Sequence, residues 1–198
     1  MSDATEPKHS ICVYCGSRNG ADPAFREAAI ALGDCLAAEN WRLVYGAGDV
    51  GLMGEVARAA QTAGGQTFGV IPTHLLAREQ GRRDLSRLVI TENMHERKKV
   101  MFMNSDAIVV LPGGAGTLDE FFEVLTWRQI GLHEKPIFLL NTNGYWTPLT
   151  ALIDHVIAAG FAEPDLRASV GLVPDVPSAM TALRVALDGA AVTAGARA

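Results

Sequence analysis

Seven short runs of near-continuous apolar residues recur along the chain, and between them the apolar positions switch to a spacing of three and four. The runs are SICVYC (10–15), WRLVYG (41–46), QTFGVI (66–71), RLVIT (87–91), AIVVLP (107–112), PIFLLN (136–141) and VGLVPD (170–175). A strand that is apolar at consecutive positions has both faces covered, the condition of a parallel sheet between two helical layers. The intervening segments supply those layers. Phe25, Ala28, Ala29, Leu32 and Leu36 form one stripe, as do Leu52, Val56, Ala59 and Ala60, and again Phe121, Val124 and Leu125. Segments 147–159 and 177–188 also read as helical, and Gly64-Gly65, Gly131 and Gly160 stand where helices should end. The predicted fold class is α/β, a doubly wound parallel sheet with helices on both faces. Without an internal repeat or a linker-like stretch, a single domain is expected over 1–198, with residues 1–9 and 189–198 frayed.

Ligands of such sheets bind outside the carboxyl ends of the strands. Chemistry is therefore expected in loops 16–22, 46–51, 72–84, 92–94 and 112–117. The last of these lies in LPGGAGTLDE (111–120), where three glycines fall within four positions. Bare N–H groups leading into a helix make a phosphate cradle, although the spacing and lysine of a P-loop are absent. Thr117 can offer its hydroxyl to an anion or cap the helix. Thr117-Leu118-Asp119-Glu120 has the form of a capping box, and acids in a first turn complement the helix dipole. On that reading Glu120 is structural. The alternative is that one acid faces the ligand; successive helical residues point about 100° apart, so both do not.

Gly46-Ala47-Gly48-Asp49-Val50-Gly51 matches G-x-G-x-x-G between a strand and a helix. A dinucleotide site also needs an acid about 20 residues on, at the end of the next strand. That strand ends Val70-Ile71-Pro72-Thr73, so a dinucleotide is not expected. A tight turn explains Gly48 and Gly51, and a mononucleotide phosphate near the turn stays open. In the helix that follows Asn93, Met94, Arg97 and Met101 share a face. An arginine between methionines on a half-buried face requires an anionic partner, whereas Lys99 is expected in solvent.

Other classes are disfavoured. The net charge of −5 is the opposite of a nucleic-acid binder's balance. The basic clusters, Arg82, Arg83 and Arg87, and Arg97 to Lys99, are too short to track a phosphate backbone. No stretch reaches the roughly 18 apolar residues of a membrane helix, and the first residues lack the apolar core of a signal peptide. No membrane partner and a cytoplasmic location are expected. Cys12 and Cys15 spell C-x-x-C within a strand, where their side chains point to opposite faces; they are read as reduced core thiols. The histidines at 9, 74, 95, 133 and 155 share no ligand spacing, so no metal site is expected.

Taken in order, CGS (15–17), YGAGDVGLMG (45–54), GVIP (69–72), ARE (77–79), MHERK (94–98), LPGGAGTLDE (111–120) and LTW (125–127) resemble one family. It is the LONELY GUY family of cytokinin riboside 5′-monophosphate phosphoribohydrolases, and the resemblance runs from about residue 10 to about 175. It implies a Rossmann-like sandwich, usually a homodimer, working without metal or organic cofactor. The implied reaction is hydrolysis of the N-glycosidic bond of an adenosine 5′-monophosphate type nucleotide to free base and ribose 5-phosphate. By motif, Arg97 and Glu120 match the catalytic pair. Substrate and phosphate contacts fall on Glu79, Met94, Lys98, Gly113, Gly114, Ala115, Gly116, Thr117, Leu118, Asp119 and Thr126. Relatives often carry the label "lysine decarboxylase", which four lysines and no pyridoxal phosphate signature do not support. Many members read GGG where this chain has Gly46-Ala47-Gly48, so the methyl of Ala47 is expected to narrow the pocket. Two other readings stay open. One is a carrier of a phosphorylated cofactor such as molybdenum cofactor, which needs the cradle but not the Arg97–Glu120 pair. The other is a nucleosidase acting on nucleoside monophosphates more broadly. The apolar face Phe121, Phe122 and Leu125 serves either a partner or the core.

Overall fold

The computed structural model describes residues 6–76 and 84–195. All seven apolar runs are strands: β1 (His9–Tyr14), β2 (Trp41–Tyr45), β3 (Thr67–Pro72), β4 (Arg87–Thr91), β5 (Ala107–Val110), β6 (Ile137–Leu140) and β7 (Gly171–Val173). They form one parallel sheet in the order β4-β3-β2-β1-β5-β6-β7. The chain steps outward from β1 to β4, then returns to set β5 against the free edge of β1. Loops leaving β1 and β5 therefore diverge to opposite faces, and a crevice opens between them at the carboxyl edge.

The helices are α1 (Pro23–Ala38), α2 (Gly51–Thr62), α3 (Met94–Met103), α4 (Ala115–Gln129), α5 (Thr147–Ala158), α6 (Asp165–Ala168) and α7 (Val176–Gly195). Alternation along each strand separates two cores. Ile11, Val13, Leu43, Tyr45 and Val109 pack under α1, α2 and α7. Cys12, Tyr14, Val44, Ile108 and Val110 pack under α3, α4, α5 and α6. The sheet is covered on both faces, as its unbroken apolar runs require.

Local chemistry sets the helix ends. Asp22 caps α1 by accepting from the Ala24 N–H (2.9 Å), with Pro23 in the first turn. Asn93 caps α3 by accepting from the Glu96 N–H (3.0 Å), while the Glu96 carboxylate accepts from the Glu92 N–H (3.0 Å). Gly64, Gly131 and Gly160 have φ of 79°, 76° and 80°, the left-handed conformation that closes a helix. Two expectations change at the termini. Residue 9 already belongs to β1, held by its pairing with Trp41, and α7 runs on to Gly195, past the expected limit at 189.

Candidate active site

One cavity of about 480 Å³ opens at the carboxyl edge, over the crevice between β1 and β5. Each of the five loops singled out above contributes to its wall, through Gly16 to Gly20, Gly46, Leu75, Met94 and Pro112 to Thr117. Arg97 and Glu120 line it too, brought together from α3 and α4.

The 111–117 segment owes its shape to missing side chains. A Cβ on Gly113 would overlap the Thr117 hydroxyl and lie 2.9 Å from the Gly16 nitrogen. The chain enters α4 with Gly114 as N-cap, a residue with no side chain to accept from the first N–H groups. The first closed bond is Leu118 N–H to Gly114 C=O (3.0 Å). The N–H groups of Ala115, Gly116 and Thr117 therefore have no carbonyl within the helix, and these three residues line the cavity. Their donors and the positive end of the α4 dipole suit an anion.

This register overturns the capping-box reading. The helix starts at Ala115, which makes Thr117 its third residue and Glu120 its sixth. Neither acid is in the first turn. Glu120 is 9% exposed, with its side chain in the cavity wall rather than turned back to a cap. Its carboxylate also acts downward into the sheet: burial and the Glu120 charge together push the thiols of Cys12 and Cys15 up. Those two cysteines sit in opposite cores, as expected of a strand.

Arg97 is 4% exposed. Its guanidinium donates from Nε to the Val70 carbonyl (3.2 Å) and from Nη2 to the Gly46 carbonyl (2.8 Å), with Nη1 3.7 Å from the Met94 sulfur. A carbonyl just past the end of β2 and one within β3 thus fix its orientation. Gly46 must lack a side chain because a Cβ there would overlap Nη2. The G-x-G-x-x-G pattern begins with a glycine that makes room for an arginine. Ala47 takes the left-handed conformation (φ 59°), is wholly buried and is absent from the cavity wall. Its methyl faces Gly69, where a Cβ would come within 2.8 Å. The expected narrowing of the pocket by Ala47 is therefore corrected: the methyl packs in the core against Gly69 of β3.

The motif-matched contacts divide. Met94, Gly113, Gly114, Ala115, Gly116 and Thr117 line the cavity with Arg97 and Glu120. Lys98, Leu118, Asp119 and Thr126 do not. Lys98 is buried and bridges α3 to α4 through Asp119 (2.9 Å) and Glu123 (3.2 Å). Burial disfavours its charge, but those two carboxylates outweigh it and hold its pKa above the ordinary lysine value. Asp119, read above as a first-turn acid, is the exposed partner in that pair. Thr126 donates back to the Phe122 carbonyl (2.7 Å) on its own helix. Glu79, Arg82 and Arg83 lie outside the described residues. Lys99 is exposed, as expected.

Some wall residues were not anticipated. Ser17, in the CGS motif, and Arg18 beside it stand at the exposed rim, although neither had been assigned a contact. Tyr145, from the turn between β6 and α5, had no signal at all: its part depends on a hydroxyl reaching Gly113 from 32 residues away. Among the described residues that line the cavity there is no lysine, the side chain a Schiff base requires. Among the described residues, no three His, Cys, Asp or Glu side chains converge as a metal site requires.

The chain matches, over residues 53–183, the family model described as "Possible lysine decarboxylase". A probable cytokinin riboside 5′-monophosphate phosphoribohydrolase of Oryza sativa subsp. japonica is 46% identical over 168 residues, covering 85% of this chain and 74% of that protein. The cytokinin riboside 5′-monophosphate phosphoribohydrolase of Rhodococcoides fascians is 43% identical over 176 residues, covering 88% and 89%. Among solved structures, the molybdenum cofactor carrier protein of Chlamydomonas reinhardtii superposes with a TM-score of 0.70 at 23% identity, covering 91% of this chain and 99% of that one. At that identity the likeness is one of fold.

Proposed function

This chain belongs to the LONELY GUY family of cytokinin riboside 5′-monophosphate phosphoribohydrolases, and from that premise we propose that it hydrolyses the N-glycosidic bond of a cytokinin riboside 5′-monophosphate or AMP. The products are the free base and ribose 5-phosphate. The observation that carries this reading is that Arg97 and Glu120, both buried, line the same cavity as the start of α4, which no side chain of its cap residue closes.

In the proposed mechanism the N–H groups of Ala115, Gly116 and Thr117 bind the 5′-phosphate. Fixing the phosphate places the ribose over the cavity wall that carries Glu120. Breaking the bond to the base builds positive charge on the ribose, as in glycoside hydrolysis. Glu120 stabilises that charge, or takes a proton from the water that attacks C1′. Arg97, held by two carbonyls, aligns Glu120 or assists the departing base. Both roles need charged groups in fixed positions away from bulk water, where their fields are strongest. We further propose that the protein is a homodimer. The exposure of Phe122, Ile130 and Leu132 supports this, while Phe121 and Leu125 belong to the core; light scattering measures the mass.

Incubation of the pure protein with isopentenyladenosine monophosphate, AMP, CMP and the matching nucleosides, followed by chromatography of free base, tests the reading. Release from a monophosphate and not from its nucleoside is the expected result. Release from CMP as well would broaden the substrate class to nucleoside monophosphates in general. Release from none would leave the carrier reading, and the phosphate site would then serve binding alone.

A further inference from the structure

Two adjacent residues at the end of the turn between β6 and α5 tie it to the chain on either side of the entry to the cradle. Tyr145 donates its hydroxyl to the Gly113 carbonyl (2.7 Å), and the adjacent Trp146 donates its indole N–H to the Val110 carbonyl (3.2 Å). These two bonds bracket Leu111 and Pro112, the step from strand β5 into the glycines. The turn is itself fastened. Asn143, at φ 51°, donates to the Asp22 carboxylate (2.8 Å), and the Tyr145 ring meets Phe25 edge to face at 5.2 Å. Phe25 and Tyr145 both line the cavity.

We propose that Tyr145 is a positioning residue for the phosphate cradle, one that sets affinity for the phosphorylated end of the substrate; the proposal rests on the reading that the cradle binds a 5′-phosphate. A trans peptide points its C=O and its N–H in opposite directions. Holding the Gly113 oxygen therefore fixes the direction of the Gly114 N–H and the angle at which the chain enters α4. Glycines at 113 and 114 would otherwise leave that angle free, because glycine has the widest choice of backbone conformation. The Tyr145 hydroxyl removes this freedom before ligand arrives, so less order has to be imposed on binding. The phosphate does not change during the reaction, and its grip is the same in ground and transition states. Loosening it raises KM and leaves kcat.

Tyr145→Phe keeps the ring against Phe25 and deletes only the hydroxyl. Loss of one neutral hydrogen bond predicts an effect of about fivefold. In calorimetry, the Kd of ribose 5-phosphate should rise about fivefold, and KM for the monophosphate by the same factor, with kcat within about twofold and the Tm within a few degrees of wild type. Any slow turnover of the unphosphorylated nucleoside should be unmoved. Equal ribose 5-phosphate affinity in wild type and variant would overturn the role of Tyr145, as would a fall in kcat at constant KM. A wild-type protein that binds no ribose 5-phosphate would overturn the cradle reading itself and this inference with it.

Discussion

Gly46→Ala is the sharpest probe of how the fold holds Arg97. Gly46 lies outside the left-handed region, so alanine fits its backbone without strain. The cost comes from the new methyl alone. It would overlap Nη2 of Arg97 and lie 2.9 Å from Cζ and 3.3 Å from Nε. A flexible arginine could swing away, but this one is 4% exposed and bound to two carbonyls. The guanidinium must shift, and its 2.8 Å bond to the Gly46 carbonyl is the first to go. A hydrogen bond to a charged group contributes about 1.5–3 kcal/mol. In a chain of this length each kcal/mol is about 2–4 °C of Tm, so the expected fall is roughly 3–12 °C. The effect on turnover is larger. A displacement of about 1 Å in a catalytic group costs about 100-fold, or about 2.7 kcal/mol. Base release from the monophosphate and thermal unfolding by circular dichroism measure the two effects. Gly189→Ala, where a Cβ meets nothing within 4 Å, is the matched control and should keep full activity. A Gly46→Ala protein that turns over within about threefold of wild type would refute the claim that this contact positions a working Arg97.

Three further outcomes follow from the geometry. Glu120→Gln should lose at least about 100-fold in kcat with little change in Tm, because the sixth residue of α4 caps nothing; preserved turnover with a lowered Tm would restore the structural reading. Thiol titration of the native protein with Ellman's reagent should find at most one reactive cysteine, the half-buried Cys35, and all three after unfolding, since Cys12 and Cys15 are buried with their pKa values pushed up. Burial pushes the Glu55 carboxyl up, but Arg26 (3.2 Å) and Arg58 (2.9 Å) outweigh it and hold its pKa below the ordinary value. Its contribution to stability is therefore complete above the unfolded pKa of about 4.3 and fades as pH falls through the lower native value; the Tm gap between wild type and Glu55→Gln should be constant above about pH 5 and close in acid.

The sheet was legible because its signal is local. Burial on both faces writes itself into each strand as an unbroken apolar run, and the seven runs differ from the seven strands only by end residues. Helices with a stripe facing that sheet were equally clear. The short α6 and the turn at 142–144 were not, since neither is long enough to show a period. The order of the strands was inaccessible for another reason. Nothing in AIVVLP states that it lies beside SICVYC rather than RLVIT; that choice depends on how the whole sheet buries its faces, and it is what opens the crevice.

The candidate site shows a subtler limit. LPGGAGTLDE admits two helix registers, and the sequence rule for capping favours a start after Thr117. The folded chain starts at Ala115 instead, because Thr117 fills the space over Gly113 and is buried there. A capping residue needs a β-like backbone and a side chain turned toward its own helix, and Thr117 has neither freedom. The shift of three residues from cap to third position carries Glu120 past the first turn. There the helix dipole no longer explains an acid, and the side chain lies in the wall of a cavity shared with Arg97. At α3 the cap does turn toward its own helix: Asn93 accepts from the Glu96 N–H, while the Glu96 carboxylate accepts from the Glu92 N–H one residue before the cap. The place of the Glu120 carboxylate therefore turned on one local contact, the packing of a threonine hydroxyl on a bare glycine four residues earlier.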